Sequence, residues 1–260
     1  MYIDTVQIYS KHFPRDDKYP FNVEALRGSR IIHFRSPVVF LVGENGTGKS
    51  TFLEALARKF GLTVWGGEKT HIIHRNPFET RLYDFLDLRG SRELGGIRKG
   101  FLFRAENFFN YACNVDDMIM SDAGMLKYYG GKSLHQKSHG ESFLSFFEHR
   151  CRIDGLYLFD EPEAALSPSN QLAFLKLLYR QTRSGDVQFI ISTHSPVILS
   201  YPAAQILSFD YVPIQEIEYE ETSSYRFYAG FIANRQAYLE TLKKSDINDN
   251  QEGKDAQGKS

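Results

Sequence analysis

The chain has 260 residues, 42% of them hydrophobic and 24% charged, with a formal net charge of −1. That length and apolar content support one large domain, or a core domain with an inserted lobe, and exclude a disordered chain. The near-balanced charge argues against wholesale coating of nucleic acid and leaves room only for a local basic groove.

Residues 1–8 alternate apolar and polar side chains (Tyr2, Ile3, Val6, Ile8), the period-2 pattern of a half-buried strand. They lack the basic flank and apolar run of a signal peptide, and no stretch approaches the roughly 18 apolar residues that span a bilayer. A soluble, cytoplasmic protein is therefore expected. A second strand is expected at 30–34, and Val38-Val39-Phe40-Leu41-Val42 reads as a strand buried on both faces of a mostly parallel sheet.

A glycine-rich turn follows: Gly43, Glu44, Asn45, Gly46, Thr47, Gly48, Lys49, Ser50, with Thr51 behind it. This matches G-x-x-x-x-G-K-[ST] at every fixed position. Glycines allow the backbone to curl into a nest of inward N–H groups, which a β-carbon would obstruct. A helix starting near Gly48 adds its positive dipole end, and Phe52, Leu53, Leu56, Ala57 and Phe60 form its buried face. In this chemistry Lys49 reaches the β- and γ-phosphates and the Ser50 hydroxyl ligates Mg²⁺. Nucleotide binding is the expectation.

Residues 62–150 are less regular and rich in glycine, and read as an inserted, mostly helical lobe. Within it, His71, His74 and Arg75 lack a third metal ligand and read as a solvated loop. Lys127, Lys132, His135 and Lys137, with Tyr128 and Tyr129 beside them, are solvated charges or a place for nucleic acid. A short aromatic helix is expected at 143–149. Cys113 and Cys151 show no CxxC spacing and read as reduced packing residues.

Leu156-Tyr157-Leu158-Phe159 is a second buried strand ending in Asp160-Glu161. At this position Asp160 would hold Mg²⁺ through a water, and Glu161 would polarise the attacking water. Ser167 and Pro168 cap the next helix, expected to run to Arg183 and to bury Leu172, Leu175, Leu178 and Tyr179. The third buried strand, 187–192, ends in Thr193-His194-Ser195, where His194 would reach the γ-phosphate and keep the water in register. Strands at 206–209 and 214–219 and a helix at 235–243 follow. Residues 244–260 have almost no apolar content and are expected to be a disordered tail.

The order P-loop, Asp-Glu, His on successive strands resembles the ABC-type P-loop ATPase superfamily. Ser138-His139-Gly140-Glu141 lies about 20 residues before Asp160, where that superfamily carries its L-S-G-G-Q signature; His139 and Glu141 depart from it. Together with Asp160 to Ser167 (Asp-Glu-Pro-Glu-Ala-Ala-Leu-Ser), the wording is similar to a family of small stand-alone predicted bacterial ATPases of the SMC/RecF branch. The resemblance covers the chain to about Leu242. It implies an ABC-type head with N-terminal antiparallel strands, an ATPase domain over 1–243, and an ATP-sandwiched head-to-tail homodimer. In such a dimer Ser138, His139, Gly140 and Glu141 touch the γ-phosphate held by the opposite subunit, and Ala164, Ala165 and Leu166 form the D-loop. Glu106 is the candidate for the Q-loop position at the metal, and Phe13, Tyr19 and Phe21 are candidates for stacking on adenine, with core packing the commoner use of each.

Implied cofactors are ATP and Mg²⁺, and the implied partner is DNA or a DNA-processing protein. Two other readings stay open: the nucleotide-binding subunit of a membrane transporter, and an ATP sensor with little turnover.

Overall fold

The computed structural model describes residues 1–65, 81–90, 99–105, 139–184 and 186–240. The chain divides into two units, Met1–Tyr219 and Glu220–Ser260.

In the first unit, β1 (Thr5–Ile8) and β2 (Ile31–His33) pair antiparallel, with α1 (Glu24–Gly28) between them in sequence. β3 (Val38–Val42) is buried at all five positions, as its unbroken apolar run requires. It leads directly into α2 (Lys49–Phe60), whose expected face Phe52, Leu53, Leu56, Ala57 and Phe60 is buried.

Most of the helical lobe expected over 62–150 lies outside the described residues. Its described residues include β4 (Thr63–Trp65), β5 (Leu86–Arg89) and β6 (Gly100–Arg104). β5 pairs antiparallel with β1, and β6 pairs parallel with β4 and with β7 (Gly155–Asp160). Each of these strands is three to five residues long, too short for a period to declare itself, and pairing with distant partners fixes them. The expected aromatic helix is present and longer, α3 (His139–Arg150).

Beyond β7 come α4 (Pro168–Ser184), β8 (Val187–Ser192), α5 (Pro196–Leu199), β9 (Gln205–Ser208) and β10 (Gln215–Glu216). β10 is shorter than the strand expected at 214–219, although the Ile217 amide still donates to Ile206 O at 3.0 Å.

The main sheet runs β10-β9-β3-β8-β7-β6-β4, parallel except for β10; β2-β1-β5 form a separate antiparallel sheet. The fold is mixed α/β. Because side chains alternate along a strand, β3 sends Val38, Phe40 and Val42 into one core cluster and Val39 and Leu41 into another. The first cluster joins the sheet to α3 and α4 through Phe143, Phe146, Phe147 and Phe174, with Phe147 and Phe174 rings 4.7 Å apart. The second joins it to α2 and the antiparallel sheet. Each fully buried Phe contributes about 1.5–3 kcal/mol.

The buried face of α4 is a correction. Phe174, Leu177 and Leu178 point inward, while Leu172 and Tyr179 are 55% and 47% exposed. Rotating the expected stripe by one position satisfies the same spacing, and the larger ring of Phe174 takes the core. Cys151 is a free, fully buried thiol, as expected; Cys113 lies outside the described residues.

In the second unit, Thr222 caps α6 (Ser223–Ala233), accepting from the Tyr225 amide at 3.3 Å, and residues 235–240 are helical. Among the described residues, no helix is long and apolar enough to cross a membrane.

Candidate functional site

Three adjacent parallel strands, β3, β8 and β7, end at the same edge of the sheet, and the residues singled out in the sequence sit just beyond them. β3 delivers the loop 43–48. Its glycines Gly43, Gly46 and Gly48 have φ of +142°, +84° and +98°. Gly48 is the α2 N-cap, and a β-carbon there would come within 2.6 Å of Val23 Cγ1. A β-carbon on Gly46 would meet no atom of the described residues within 4 Å, so the requirement there is its backbone angle.

Lys49 is 5% exposed and folds back across the loop, donating from Nζ to Gly43 O at 2.5 Å and Glu44 O at 2.9 Å. Burial pushes its pKa down, against the pull of Glu161, Asp210, Asp160 and Glu44. Thr47 Oγ1 donates to Glu44 O at 2.9 Å, and the Glu44 amide donates to Asp210 Oδ1 at 2.7 Å. Asp210 follows β9 and thus braces the loop from the side, a role with no signal in its own stretch of chain.

Ser50, in the first turn of α2, donates from Oγ to Asp160 Oδ1 at 3.0 Å. The other Asp160 oxygen lies 3.7 Å from Arg104 Nε, and Arg104 Nη2 donates to Glu54 Oε2 at 2.7 Å. Burial raises the Asp160 pKa, and the Ser50 hydrogen bond and Arg104 charge oppose it. Burial also works on Glu54, but the guanidiniums of Arg104 and Arg58 outweigh it and hold that carboxyl low.

A hydroxyl and a carboxylate converging beside the phosphate loop suit a hard divalent cation that keeps most of its own water. Among the described residues there is no cluster of three His, Cys, Asp or Glu that would cage a metal on its own. The donor set therefore fits Mg²⁺ held partly by phosphate oxygens.

Glu161 adopts φ +50°, a left-handed angle rare for a residue with a β-carbon, and its side chain is exposed at the strand end. Its amide donates to Ser192 O at 2.9 Å, joining the ends of β7 and β8. His194 Nε2 is buried and has no hydrogen-bond partner among the described residues. Burial and then the Lys49 ammonium lower the His194 pKa. The unmatched nitrogen is an open position for a ligand oxygen or a water.

Glu163, two residues past Glu161, was not singled out from the sequence. Its Oε1 accepts from the His194 amide at 2.6 Å and its Oε2 from Thr193 Oγ1 at 2.8 Å. Gln171 ties the same region to α4, accepting from Ser195 Oγ at 2.6 Å and donating to Leu166 O at 3.2 Å.

Of the signature residues, His139 and Gly140 open α3 and Glu141 is exposed in its first turn; Ser138 and Glu106 lie outside the described residues. Gly140 abuts the start of α4: a β-carbon there would meet Asn170 Nδ2 at 2.3 Å and Ala165 O at 3.3 Å. The basic approach at Lys127 to Lys137 and the His71–Arg75 loop also lie outside the described residues.

Tyr19, Asn22, Asn45, Thr47 and Asp210 line a cleft of about 490 Å³ on the α1 side of the phosphate loop. Of the three aromatic residues considered for adenine, Tyr19 reaches it, with its hydroxyl 2.6 Å from Thr51 Oγ1. Phe21 is fully buried, and Phe13 packs on it with rings 4.8 Å apart.

Two family models match the chain: "AAA domain, putative AbiEii toxin, Type IV TA system" over residues 142–200, and "AAA domain" over residues 21–64. These stretches carry Asp160, Glu161 and His194 in the first case and the phosphate loop in the second. No curated protein matches. Among solved structures, the chain is similar to an SMC head domain from Thermotoga maritima (17% identity, 84% of this chain and 100% of that one, TM-score 0.46). It is also similar to cbiO1 from Clostridium perfringens, part of the ABC transporter complex cbiONQ (15% identity, 93% and 99%, TM-score 0.46). The phosphate loop, the carboxylate pair and the histidine, borne on successive parallel strands, all lie within the two stretches that match AAA-domain models.

Proposed function

We propose that this protein is an ABC-type P-loop ATPase that binds ATP with Mg²⁺ and hydrolyses it, at composite sites of a head-to-tail homodimer. The observation that carries the reading is the Ser50–Asp160 hydrogen bond at 3.0 Å, with Lys49, Glu161 and His194 around it.

In this reading the loop 43–48 cradles the phosphates, and Lys49 turns from its carbonyl partners toward the β- and γ-phosphates. Ser50 and Asp160 hold the cation, which when bound neutralises phosphate charge and orients the oxygens for in-line attack. Glu161 accepts the proton of the attacking water through its exposed carboxylate. The His194 imidazole holds that water or a γ-phosphate oxygen at Nε2. Tyr19 and Asp210 flank the nucleoside in the adjoining cleft.

The opposite subunit's Ser138, His139, Gly140 and Glu141 complete the site, and Ala164, Ala165 and Leu166 cross the interface. Glu106, outside the described residues, is the proposed Q-loop residue for the metal. ATP-driven closure and hydrolysis-driven opening then switch a partner, with DNA or a DNA-processing protein as the class proposed.

The test is ATP turnover by wild type and Glu161→Gln, with and without duplex DNA, alongside mass in solution with ATP. Turnover lost in the variant with an ATP-held dimer supports the composite site. Turnover unchanged in Glu161→Gln removes Glu161 as base, and a monomer throughout removes the dimer.

A further inference from the structure

The Glu161 amide donates to Ser192 O at the ends of β7 and β8, and a turn follows each strand. Each carries one of the groups that would act on the attacking water, and the half-buried Glu163 side chain spans them. Glu163 accepts from the His194 amide through one carboxylate oxygen and from the Thr193 hydroxyl through the other. Thr193 Oγ1 in turn accepts from the Ser195 amide at 3.1 Å. Both oxygens hold a donor from the turn after β8, although Glu163 stands only two residues from Glu161.

We infer that Glu163 is a positioning residue that locks the His194 backbone against the turn bearing Glu161, setting the separation of base and histidine. The inference rests on the hydrolase reading given above. A carboxylate accepting two strong donors is a stiffer brace than a neutral side chain, because charge-assisted hydrogen bonds are shorter and stronger. A misplacement near 1 Å in such a constellation costs about 100-fold in rate while binding contacts elsewhere persist.

The substitutions separate this role from the alternatives. Glutamine at 163 keeps a carbonyl acceptor for the His194 amide and offers its NH₂ to Thr193 Oγ1, so the brace survives in weakened form. Alanine removes it. Glutamine cannot act as a base, so rescue by Glu163→Gln distinguishes positioning from proton abstraction.

The experiment measures kcat at saturating ATP and Mg²⁺, together with the ATP dissociation constant and melting temperature, for wild type, Glu163→Ala, Glu163→Gln, Thr193→Val and Glu161→Gln. The expected result is a fall of about 100-fold in kcat for Glu163→Ala with ATP affinity within about 3-fold. Glu163→Gln should recover most of that loss, Thr193→Val should lie between, and Glu161→Gln should be inactive.

A Glu163→Ala protein with near wild-type kcat overturns the inference, as does a joint loss of binding and turnover in proportion to unfolded protein. Equal loss in Glu163→Gln and Glu163→Ala also overturns it and makes Glu163 the base. An ATP-binding wild type that turns nothing over overturns the hydrolase reading and this inference together; active wild type with unaffected Glu163→Ala overturns only the inference.

Discussion

Ser50 Oγ and Asp160 Oδ1 stand 3.0 Å apart although 110 residues separate them along the chain. The parallel register of β3, β8 and β7 produces the meeting, since it brings the end of β7 level with the start of α2. Arg104 guards the other side of the same carboxylate at 3.7 Å, and is itself anchored on Glu54.

If that pair holds Mg²⁺, Ser50→Ala and Asp160→Asn should each weaken Mg²⁺-dependent ATP binding by roughly 10–100-fold. Binding measured in EDTA should change far less. Calorimetric titration of ATP with and without Mg²⁺ checks this, and equal losses under both conditions would place the pair outside the metal site.

Glu161→Gln preserves the shape of the side chain and removes its basicity. Turnover should fall by about 10²–10⁴-fold with ATP affinity nearly unchanged, because ground-state contacts remain. Single-turnover kinetics with excess protein read the chemical step directly, and a wild-type rate would assign the base elsewhere.

The His194 imidazole should titrate below 6.5 in an NMR pH titration, since burial first and the Lys49 ammonium second disfavour its charged form. Lys49→Met should move the midpoint part of the way back up. The same shift has a sign for stability. Between the lowered folded-state pKa and 6.5 the unfolded chain binds more protons than the folded one, so stability should rise with pH across that window. His194→Gln should flatten that part of the profile in chemical denaturation.

Gly140 meets the Asn170 side chain so closely that a β-carbon would lie 2.3 Å from its amide nitrogen. Gly140→Ala should destabilise the protein by about 1–3 kcal/mol. Asn170→Ala introduced alongside should recover part of the loss, because the colliding atom is the end of a side chain. Urea unfolding of the single and double variants checks the coupling, and strict additivity would rule out the contact as the cause.

Much of this site was legible in the sequence because its chemistry is local. Gly43 to Ser50 encodes a turn, a nest and a helix start within eight consecutive residues, and β3 and α2 flank it as expected. Asp160 and His194 were legible for the same reason: each ends an apolar run whose burial on both faces is written in its composition. The short strands β4, β5 and β6 left no such trace, since pairing with distant partners fixes three to five residues whose own preferences are weak.

By itself, then, the sequence determined the parallel α/β core, the phosphate loop and the two strand-end motifs, where one stretch of chain contains both the residues and the geometry they need. Only the tertiary structure decided that α4 turns Phe174 inward and Leu172 out, that Arg104 faces Asp160, that Asp210 braces Glu44, and that Glu163 spans to His194. Each of these relations joins side chains from different elements. A charged or polar residue carries no periodic signal of its partner, and the pairing comes into being when strand order and register bring the two within hydrogen-bonding distance.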